Sequence, residues 1–354
     1  MEKSTKQYPI LLFRADASEE IGIGHIMRCL ALAQTFQVMG CEIIFLCWQI
    51  PEKLEKLLHQ ENIGVVIFAG DHAGSTEDAR ITARAARALQ VDWIIADGYG
   101  FDGPYQKIIK EHHLNLMVLD DYGHADHYAA DIILNPGIHP DPDVYLHREP
   151  SAQLLLGPQY FPLRREFLET CRCPKLISAE GSKVLVTLGG ADPNQTTLKV
   201  IESLKEMDNL LQICVVVGPS YANPGQLSVI IDRRPILLLQ NQDSMAALMS
   251  WADIGISAGG VTLAEMAYLG LPTIVIQTAE NQAACKYYDT KYGTSVYLGD
   301  AETVTKDQIL DSVMLLYGDS WRRQKMRENG WNLIDGNGGR RVYEALMQHS
   351  IIKC

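Results

Sequence analysis

Short apolar runs alternate with amphipathic segments along the whole chain. In the first half, runs of strand length lie at 8–13, 42–47, 65–68, 93–96, 116–119 and 131–134. Between them, apolar residues recur every three or four positions, as at 26–39 and 76–89, which is typical of helices that face a core. Buried strands alternating with crossover helices predict an open parallel sheet.

The same rhythm restarts in the second half, after a linker at about 175–181. Apolar runs lie at 183–188, 212–217, 236–239, 254–257 and 273–276. We therefore predict an α/β protein with two Rossmann-like open parallel-sheet domains, 1–165 and 182–354, facing a cleft. The last helix, after residues 336–339, is predicted to pack back on the first domain.

The most informative stretch follows the first strand, where a polar loop with Gly22, Gly24 and His25 leads into a helix. The two glycines permit positive φ or close approach of a ligand, so we assign them to substrate binding. The positive end of the helix favours an anion nearby. A neutral imidazole in such a loop suits a general base, so we predict that His25 is catalytic; the alternative is that it only caps the helix.

Polar turns follow three other predicted strands, at 97–100, 120–123 and 135–137. Because ligands of open α/β sheets bind outside the carboxyl ends of the strands, we expect these turns to lie at the same edge as His25. We assign Asp97, Asp120 and Asn135 to substrate binding, and Asp16, in the loop after the first strand, to catalysis.

Two arginines lie close to this edge. Arg14, at the end of an apolar strand, is predicted to bind the substrate pyrophosphate or to form a structural ion pair. Arg28, one turn into the helix, is as consistent with a surface position as with a site.

A metal site is the alternative function for the acidic turn. Asp120, Asp121, His124 and His127 have donor types that bind a divalent cation. The histidines lie on no convincing helix and no second ligand cluster follows, so we predict no metal and a turn whose first carboxylate supports the site.

The second half has glycine-containing turns after its strands. Their backbone N–H groups could cradle a phosphate, although turn glycines serve plain geometry as often. Glu265 could accept hydrogen bonds from a ribose, or it could lie on a solvated face. The predicted nucleotide-binding residues are Gly189, Gly190, Gly218, Ser257, Gly259, Gly260, Thr262 and Glu265.

Composition narrows the class of partner. A net charge of −12 over 354 residues, without basic runs, argues against binding to nucleic acid or to a membrane surface. The eight cysteines form no zinc-site pattern, and several lie in apolar segments. We expect reduced thiols and a cytoplasmic protein, with neither a signal peptide nor a membrane span.

The opening motif, at 13–18 and 22–28, resembles the signature of the PseG/SpsG family, UDP-sugar hydrolases of pseudaminic acid biosynthesis and their spore-coat relatives. Further matches follow in order along nearly the whole chain, at 95–100, 119–121, 134–136, 163–167, 188–192 and 257–265. One departure is visible, because Gly98 stands where a relative has histidine.

The resemblance implies a MurG-like GT-B fold, with a sugar-binding catalytic domain followed by a nucleotide-binding domain. It implies hydrolysis of a UDP-linked 2,4-diacetamido-2,4,6-trideoxyhexose by water, with inversion and without metal or other cofactor. His25 then acts as the base and Tyr99 supports the sugar site. The UDP-sugar is the expected partner, and we expect a monomer.

Three other functions stay open at this point. The first is a MurG-like glycosyltransferase of surface or spore-coat polysaccharide synthesis, which uses a UDP-sugar donor. The second is the metal-dependent hydrolase. The third is a nucleotide-sugar binding module without catalysis.

Overall fold

The structure is a computed structural model that describes residues 8–352, apart from 19, 71, 173–175, 190–191, 193, 208, 219–220, 222–224, 226, 228–235, 241 and 243. The chain divides into two compact units. The first contains the described residues up to Arg165 together with those from Gly336 on, and the second spans Glu166–Asp335.

The first unit contains a seven-stranded sheet. Its strands are β1 (Ile10–Ala15), β2 (Glu42–Cys47), β3 (Gly64–Ile67), β4 (Trp93–Asp97), β5 (Leu116–Leu119), β6 (Ile132–Asn135) and β7 (Gln153–Leu156). The helices between them are α1 (Gly24–Val38), α2 (Glu52–Gln60), α3 (Thr76–Ala88) and α4 (Gly103–Glu111). Short 3₁₀ turns lie at Pro142–Tyr145 and Pro158–Tyr160, and α5 (Arg165–Leu168) crosses into the second unit. The strand β7 is not among the runs of strand length predicted from the apolar pattern.

All neighbouring strands of this sheet are parallel, in the order β3-β2-β1-β4-β5-β6-β7. The order reverses between β1 and β4, where Ala15 pairs with Asp97. In an open α/β sheet such a reversal opens a crevice at the carboxyl ends of the two strands, because the following helices lie on opposite faces. The candidate site is located there.

Both faces of the sheet are covered, which explains why its strands are almost wholly apolar. One face packs against α1, with Phe13, Ile26 and Phe36 in its core. The other face packs against α3 and α4, with Leu12 and Ile109 in its core.

The second unit contains a six-stranded parallel sheet in the order β10-β9-β8-β11-β12-β13. Its strands are β8 (Lys183–Thr187), β9 (Gln212–Val217), β10 (Ile236–Gln240), β11 (Ile254–Ala258), β12 (Thr273–Gln277) and β13 (Ser295–Asp300). Its helices are α6 (Thr196–Ser203), α7 (Met245–Trp251), α8 (Thr262–Leu269), α9 (Tyr287–Thr290), α10 (Lys306–Gly318) and α11 (Ser320–Leu333), with 3₁₀ turns at Leu204–Met207 and Glu280–Lys286. The order reverses between β8 and β11. The predicted class of two open parallel α/β sheets is confirmed.

The last helix, α12 (Gly338–Ile352), belongs to the first unit. Val342 and Leu346 are buried in the core beside α1. The Nε1 of Trp93 donates to the hydroxyl of Ser350 over 3.0 Å, which ties the end of α12 to β4. The helix therefore completes one face of the first sheet.

The described cysteines are mostly core residues. Cys29, Cys41, Cys47, Cys214 and Cys285 are free and buried. Cys171 is disulfide-bonded, so the expectation of reduced thiols is wrong for this residue. Among the described helices, none is both long and apolar enough to cross a lipid bilayer.

Candidate active site

The crevice between β1 and β4 brings His25 and Asp97 together. Asp97 is the last residue of β4, and His25 is the second residue of α1, which follows β1 through the glycine loop. Nδ1 of His25 lies 2.7 Å from Oδ1 of Asp97. The residue before the helix, Ile23, makes no side-chain cap, and His25 instead bonds across the sheet edge. The capping alternative for His25 is therefore wrong.

The Asp97 carboxylate fixes the tautomer of a neutral His25. Burial by itself would raise the pKa of Asp97, but the charge of Arg28 and the hydrogen bond from His25 outweigh burial and hold that pKa at about 2. An ionised carboxylate only accepts hydrogen bonds, so Nδ1 of His25 carries the proton and donates. Nε2 is left with a lone pair, and it makes no hydrogen bond to any residue that the structure describes.

Arg28 joins the two acidic turns of this edge. Its Nε and Nη2 donate to Oδ2 and Oδ1 of Asp97 over 2.9 and 2.7 Å. Its Nη1 donates to Oδ1 of Asp121. The side chain is only 12% exposed, so the surface alternative for Arg28 is wrong.

A cavity of about 290 Å³ lies over this network. Tyr99 borders it with a half-exposed ring, which meets the His25 ring edge to face at a centroid distance of 5.0 Å. The Tyr99 hydroxyl donates to Oδ2 of Asp121 over 3.0 Å. Burial, and secondarily Asp121, raise the pKa of Tyr99 above its usual value, so the phenol keeps its proton. The other lining residues are Asp16, Glu20, Ile21, His25, Ala73, Asp97, Gly98, Gly100 and Phe101.

The two loop glycines leave the approach to His25 open. Gly22 has a φ of +79°, which favours glycine, and its N–H donates to the Ser18 carbonyl over 2.8 Å. Gly24 is the first residue of α1, and a methyl group added there or at Gly22 would meet no atom within 4 Å. A ligand can therefore approach the backbone closely at both positions.

Arg14 and Asp16 serve the fold. The Arg14 guanidinium is fully buried, and it makes a fork with Asp78 at 3.0 and 2.7 Å and a third bond to Asp16 at 2.7 Å. The other oxygen of Asp16 accepts the N–H groups of Trp48 and Gln49. The substrate-binding assignment of Arg14 is therefore wrong, and the ion-pair alternative describes it. Asp16 lines the cavity, but both of its carboxylate oxygens already accept hydrogen bonds from the protein. Its catalytic assignment stays a prediction.

Asp120 and Asn135 are also buried supports. Asp120 accepts the N–H groups of Tyr122 and Gly123 over 2.7 Å each, together with the Tyr128 hydroxyl. Asn135 donates to the Asp121 carbonyl over 3.0 Å and accepts from the Gly137 N–H. These bonds shape the turn that presents Asp121, so neither side chain is offered to a substrate as predicted.

The two histidines of the acidic turn diverge. Nδ1 of His124 lies 2.8 Å from Asp120, whereas Nε2 of His127 lies 3.1 Å from Glu149. Within the described part of the chain, no group of three or more histidine, cysteine or acidic side chains is placed to hold a metal ion.

In the second unit, the predicted glycine turns follow β8 and β11, the two strands at the order reversal. Gly189 has a φ of +92°, whereas Gly190 lies outside the described residues. The Gly259 N–H already donates to Gln282 over 3.0 Å. Gly260 is open and exposed, and Thr262 begins α8. The positive end of α8 is therefore accessible at Gly260.

Three other predicted nucleotide residues have different surroundings. Ser257 is buried, and its hydroxyl donates to the neighbouring Ala258 carbonyl. Glu265 is 7% exposed, so the solvated-face alternative for it is wrong. Gly218 follows β9, one strand away from the reversal.

Arg28, Asp121 and Glu20 belong to the site or its border but were not among the predicted site residues. A signal for Arg28 was present, since it lies three residues after His25 and therefore on the same helix face. Asp121 was weighed only as a metal ligand. Its contribution to the site depends on β4 and β5 being adjacent in the sheet, and spacing along the chain does not reveal that adjacency.

Residues 183–295 match the Glycosyltransferase family 28 C-terminal domain. Acinetobacter baumannii MurG superposes with a TM-score of 0.61 over 96% of this chain and 99% of that one, at 15% identity. Anabaena HepE in complex with UDP gives 0.68 over 96% of this chain and 100% of that one, at 12% identity.

Three relatives have detectable sequence similarity over most of the chain. Bacillus subtilis spore coat polysaccharide biosynthesis protein SpsG is 25% identical over 93% of this chain and 95% of its own length. Methanocaldococcus jannaschii protein MJ1062 is 29% identical over 76% of this chain, which spans 56% of that protein. The Helicobacter pylori pseudaminic acid cytidylyltransferase and UDP-2,4-diacetamido-2,4,6-trideoxy-β-L-altropyranose hydrolase is 25% identical over 78% of this chain and 46% of its own length.

The chain has a GT-B fold like that of MurG, and its second unit contains the match to the family 28 domain. Within that class, the relatives confirm the resemblance predicted from the motifs. The chain is similar to the PseG/SpsG family.

Proposed function

We propose that the protein hydrolyses a UDP-linked 2,4-diacetamido-2,4,6-trideoxyhexose to UDP and free sugar, without a metal ion. The observation that carries the proposal is the His25–Asp97 pair at the cavity, with Nε2 of His25 unengaged among the described residues. The name of the H. pylori relative supports the substrate class.

Inverting hydrolysis requires a base and no protein nucleophile. The oxygen of a water molecule forms a bond to the anomeric carbon, while the bond from that carbon to the phosphate oxygen breaks and its electron pair leaves with UDP. The proton of the attacking water passes to Nε2 of His25, and Asp97 stabilises the imidazolium that results. Proton transfer of this kind contributes about 10²- to 10⁴-fold to a rate.

Each unit supplies a different part of the chemistry in this proposal. In the first unit, the half-exposed ring of Tyr99 and the open backbone at Gly24 contact the sugar. In the second unit, the start of α8 at Gly260 binds the diphosphate, because helix N-termini stabilise the negative charge of a departing phosphate.

A substitution that removes the base tests this proposal. His25→Gln lowers turnover by about 10²-fold or more but leaves UDP affinity within about twofold, since only proton transfer is lost. UDP release measures turnover and calorimetry measures binding. His59→Gln, at an exposed position of α2, is the matched control and keeps full activity. Loss of UDP affinity in step with activity would assign His25 to binding.

A glycosyltransferase is the second candidate, because residues 183–295 match a glycosyltransferase domain. Such an enzyme transfers the sugar to an acceptor hydroxyl in place of water. Incubation with the UDP-sugar alone separates the two: sustained release of UDP and free sugar supports the hydrolase.

Activity that persists after exhaustive EDTA treatment removes the metal-dependent alternative.

A further inference from the structure

Arg28 is the central donor of the candidate site, although it is not among the residues that line the cavity. Two of its nitrogens form a fork with Asp97, and the third donates to Asp121. A fork of this kind binds a carboxylate more strongly and in a more defined orientation than a single bond does. Arg28 therefore fixes the positions of two carboxylates that neighbour the cavity.

The Asp97 carboxylate is shared. Oδ1 accepts from Nδ1 of His25 and from Nη2 of Arg28, both over 2.7 Å, and Oδ2 lies 3.7 Å from the Cys29 thiol. A carboxylate facing only an imidazole would strongly favour the imidazolium form. An imidazolium cannot accept a proton, so an unshared Asp97 would orient the base and also reduce the fraction of it that is able to act.

The second arm of Arg28 acts on Tyr99. Oδ1 of Asp121 accepts from Arg28 and Oδ2 accepts from the Tyr99 hydroxyl, whose ring contacts His25. The charged or titratable groups around His25 are Arg28 and Cys29 on α1, Asp97 and Tyr99 at the end of β4, Asp121 after β5, and Asp16 and Glu20 in the cavity wall.

We propose that Arg28 is a positioning residue that neutralises Asp97, so that Asp97 orients His25 without holding it protonated, and that Arg28 aligns Tyr99 through Asp121. The inference rests on the proposed function, in which His25 must be unprotonated to act. Arg28 thus controls the balance of charge around His25.

The direct test is the titration of the His25 ring by NMR in the full chain without ligand. Arg28→Met removes the charge at similar length, and the midpoint of the His25 titration rises by about one pH unit. The acid limb of the pH–kcat profile rises by the same amount. Arg28→Lys keeps the charge and the midpoint but lowers kcat with little change in KM, because an ammonium group cannot reproduce the fork.

Two further variants keep the test decisive. The double variant Arg28→Met, Asp97→Asn removes both charges, avoids a buried unpaired carboxylate and returns the midpoint to the wild-type value or below. Asp121→Asn, which leaves the fork to Asp97 intact, does not raise the midpoint. An unchanged midpoint in Arg28→Met, or an unimpaired kcat in Arg28→Lys, overturns the inference.

The failure of the inference is distinguishable from that of the proposed function. The ring titration needs no substrate, so it reports on Arg28 whether or not the chain hydrolyses a UDP-sugar. If His25→Gln retains turnover, the proposed function is wrong, whatever the NMR midpoint does.

Discussion

At the scale of single residues, the site depends on buried charges that satisfy one another. Asp97, Arg28 and His25 form one hydrogen-bonded group at the end of β4. Arg14, Asp16 and Asp78 form a second group, with the Arg14 guanidinium 5.0 and 5.1 Å from the rings of Phe68 and Phe101. The two groups differ in access, since only the first offers an unengaged atom to the cavity.

The low pKa of Asp97 predicts how stability depends on pH. Its folded-state pKa of about 2 lies below its ordinary 3.8, so its ionisation stabilises the native state above about pH 4. That contribution, about 2 kcal/mol, is lost as the pH falls toward 2. Urea unfolding from pH 5 to pH 2.5 should therefore show a shallower decline for Asp97→Asn than for wild type, although the variant is less stable throughout because Arg28 loses its partner.

Asp126→Asn is the control for that experiment, because Asp126 is an exposed residue of the acidic turn. It should reproduce the wild-type decline. A parallel decline for Asp97→Asn and wild type would contradict the stabilising role of the Asp97 carboxylate.

Residue-level prediction from the sequence succeeded where the local pattern was enough. The glycine loop before α1 placed His25 at the mouth of a helix, and the polar turn after β4 placed Asp97 and Tyr99 at the same edge. The partners were not predictable, because the pairing of Arg14 with Asp78, 64 residues away, depends on how α3 packs on the sheet.

At the scale of elements, most strands and helices could be predicted from the apolar periodicity. The order of the strands could not, because a parallel crossover can add the next strand on either side. The reversal between β1 and β4 decides which turns meet. The late elements β13 and α10 were also missed, since no buried run as clear as the earlier ones marks them.

The packing of α12 gives a prediction at this scale. An added Cβ at Gly338 would lie 2.1 Å from the carbonyl oxygen of Phe161, so the start of the helix must shift. Gly338→Ala should lower the free energy of unfolding of the first unit by about 1–3 kcal/mol, measured by denaturant titration.

Gly318→Ala is the matched control. Gly318 ends α10, and an added methyl group there would meet no atom within 4 Å. Gly318→Ala should leave the free energy of unfolding unchanged or raise it slightly. Equal effects at the two positions would show that α12 does not dock as tightly as the contacts at Gly338 imply.

At the scale of the whole molecule, the first unit is assembled from two separate parts of the chain. Residues from Gly336 onward complete a core that begins with β1. Phe36 contacts Tyr343 at a ring-centroid distance of 5.9 Å, and Trp93 contacts His349 at 5.4 Å. The second unit, by contrast, is one continuous segment with its own core.

Fragments of the chain should differ in whether they fold cooperatively, because only the second unit is one continuous segment. We predict that 166–335, expressed alone, gives a cooperative unfolding transition and binds UDP in calorimetry, because its sheet and core are self-contained. We predict that 1–165 alone does not fold cooperatively and recovers its transition when 336–354 is fused to its end. A cooperative transition for 1–165 alone would show that α12 is dispensable.

This arrangement has a consequence for synthesis on the ribosome. After residue 165 is made, about 170 further residues must be added before α12 emerges, which takes roughly 10 to 30 s at 5–20 residues per second. During that interval the sheet face beside α1 lacks its cover, while the second unit has time to fold. We therefore expect the nascent first unit to expose apolar surface until α12 emerges, and slow codons late in the message would prolong that exposure.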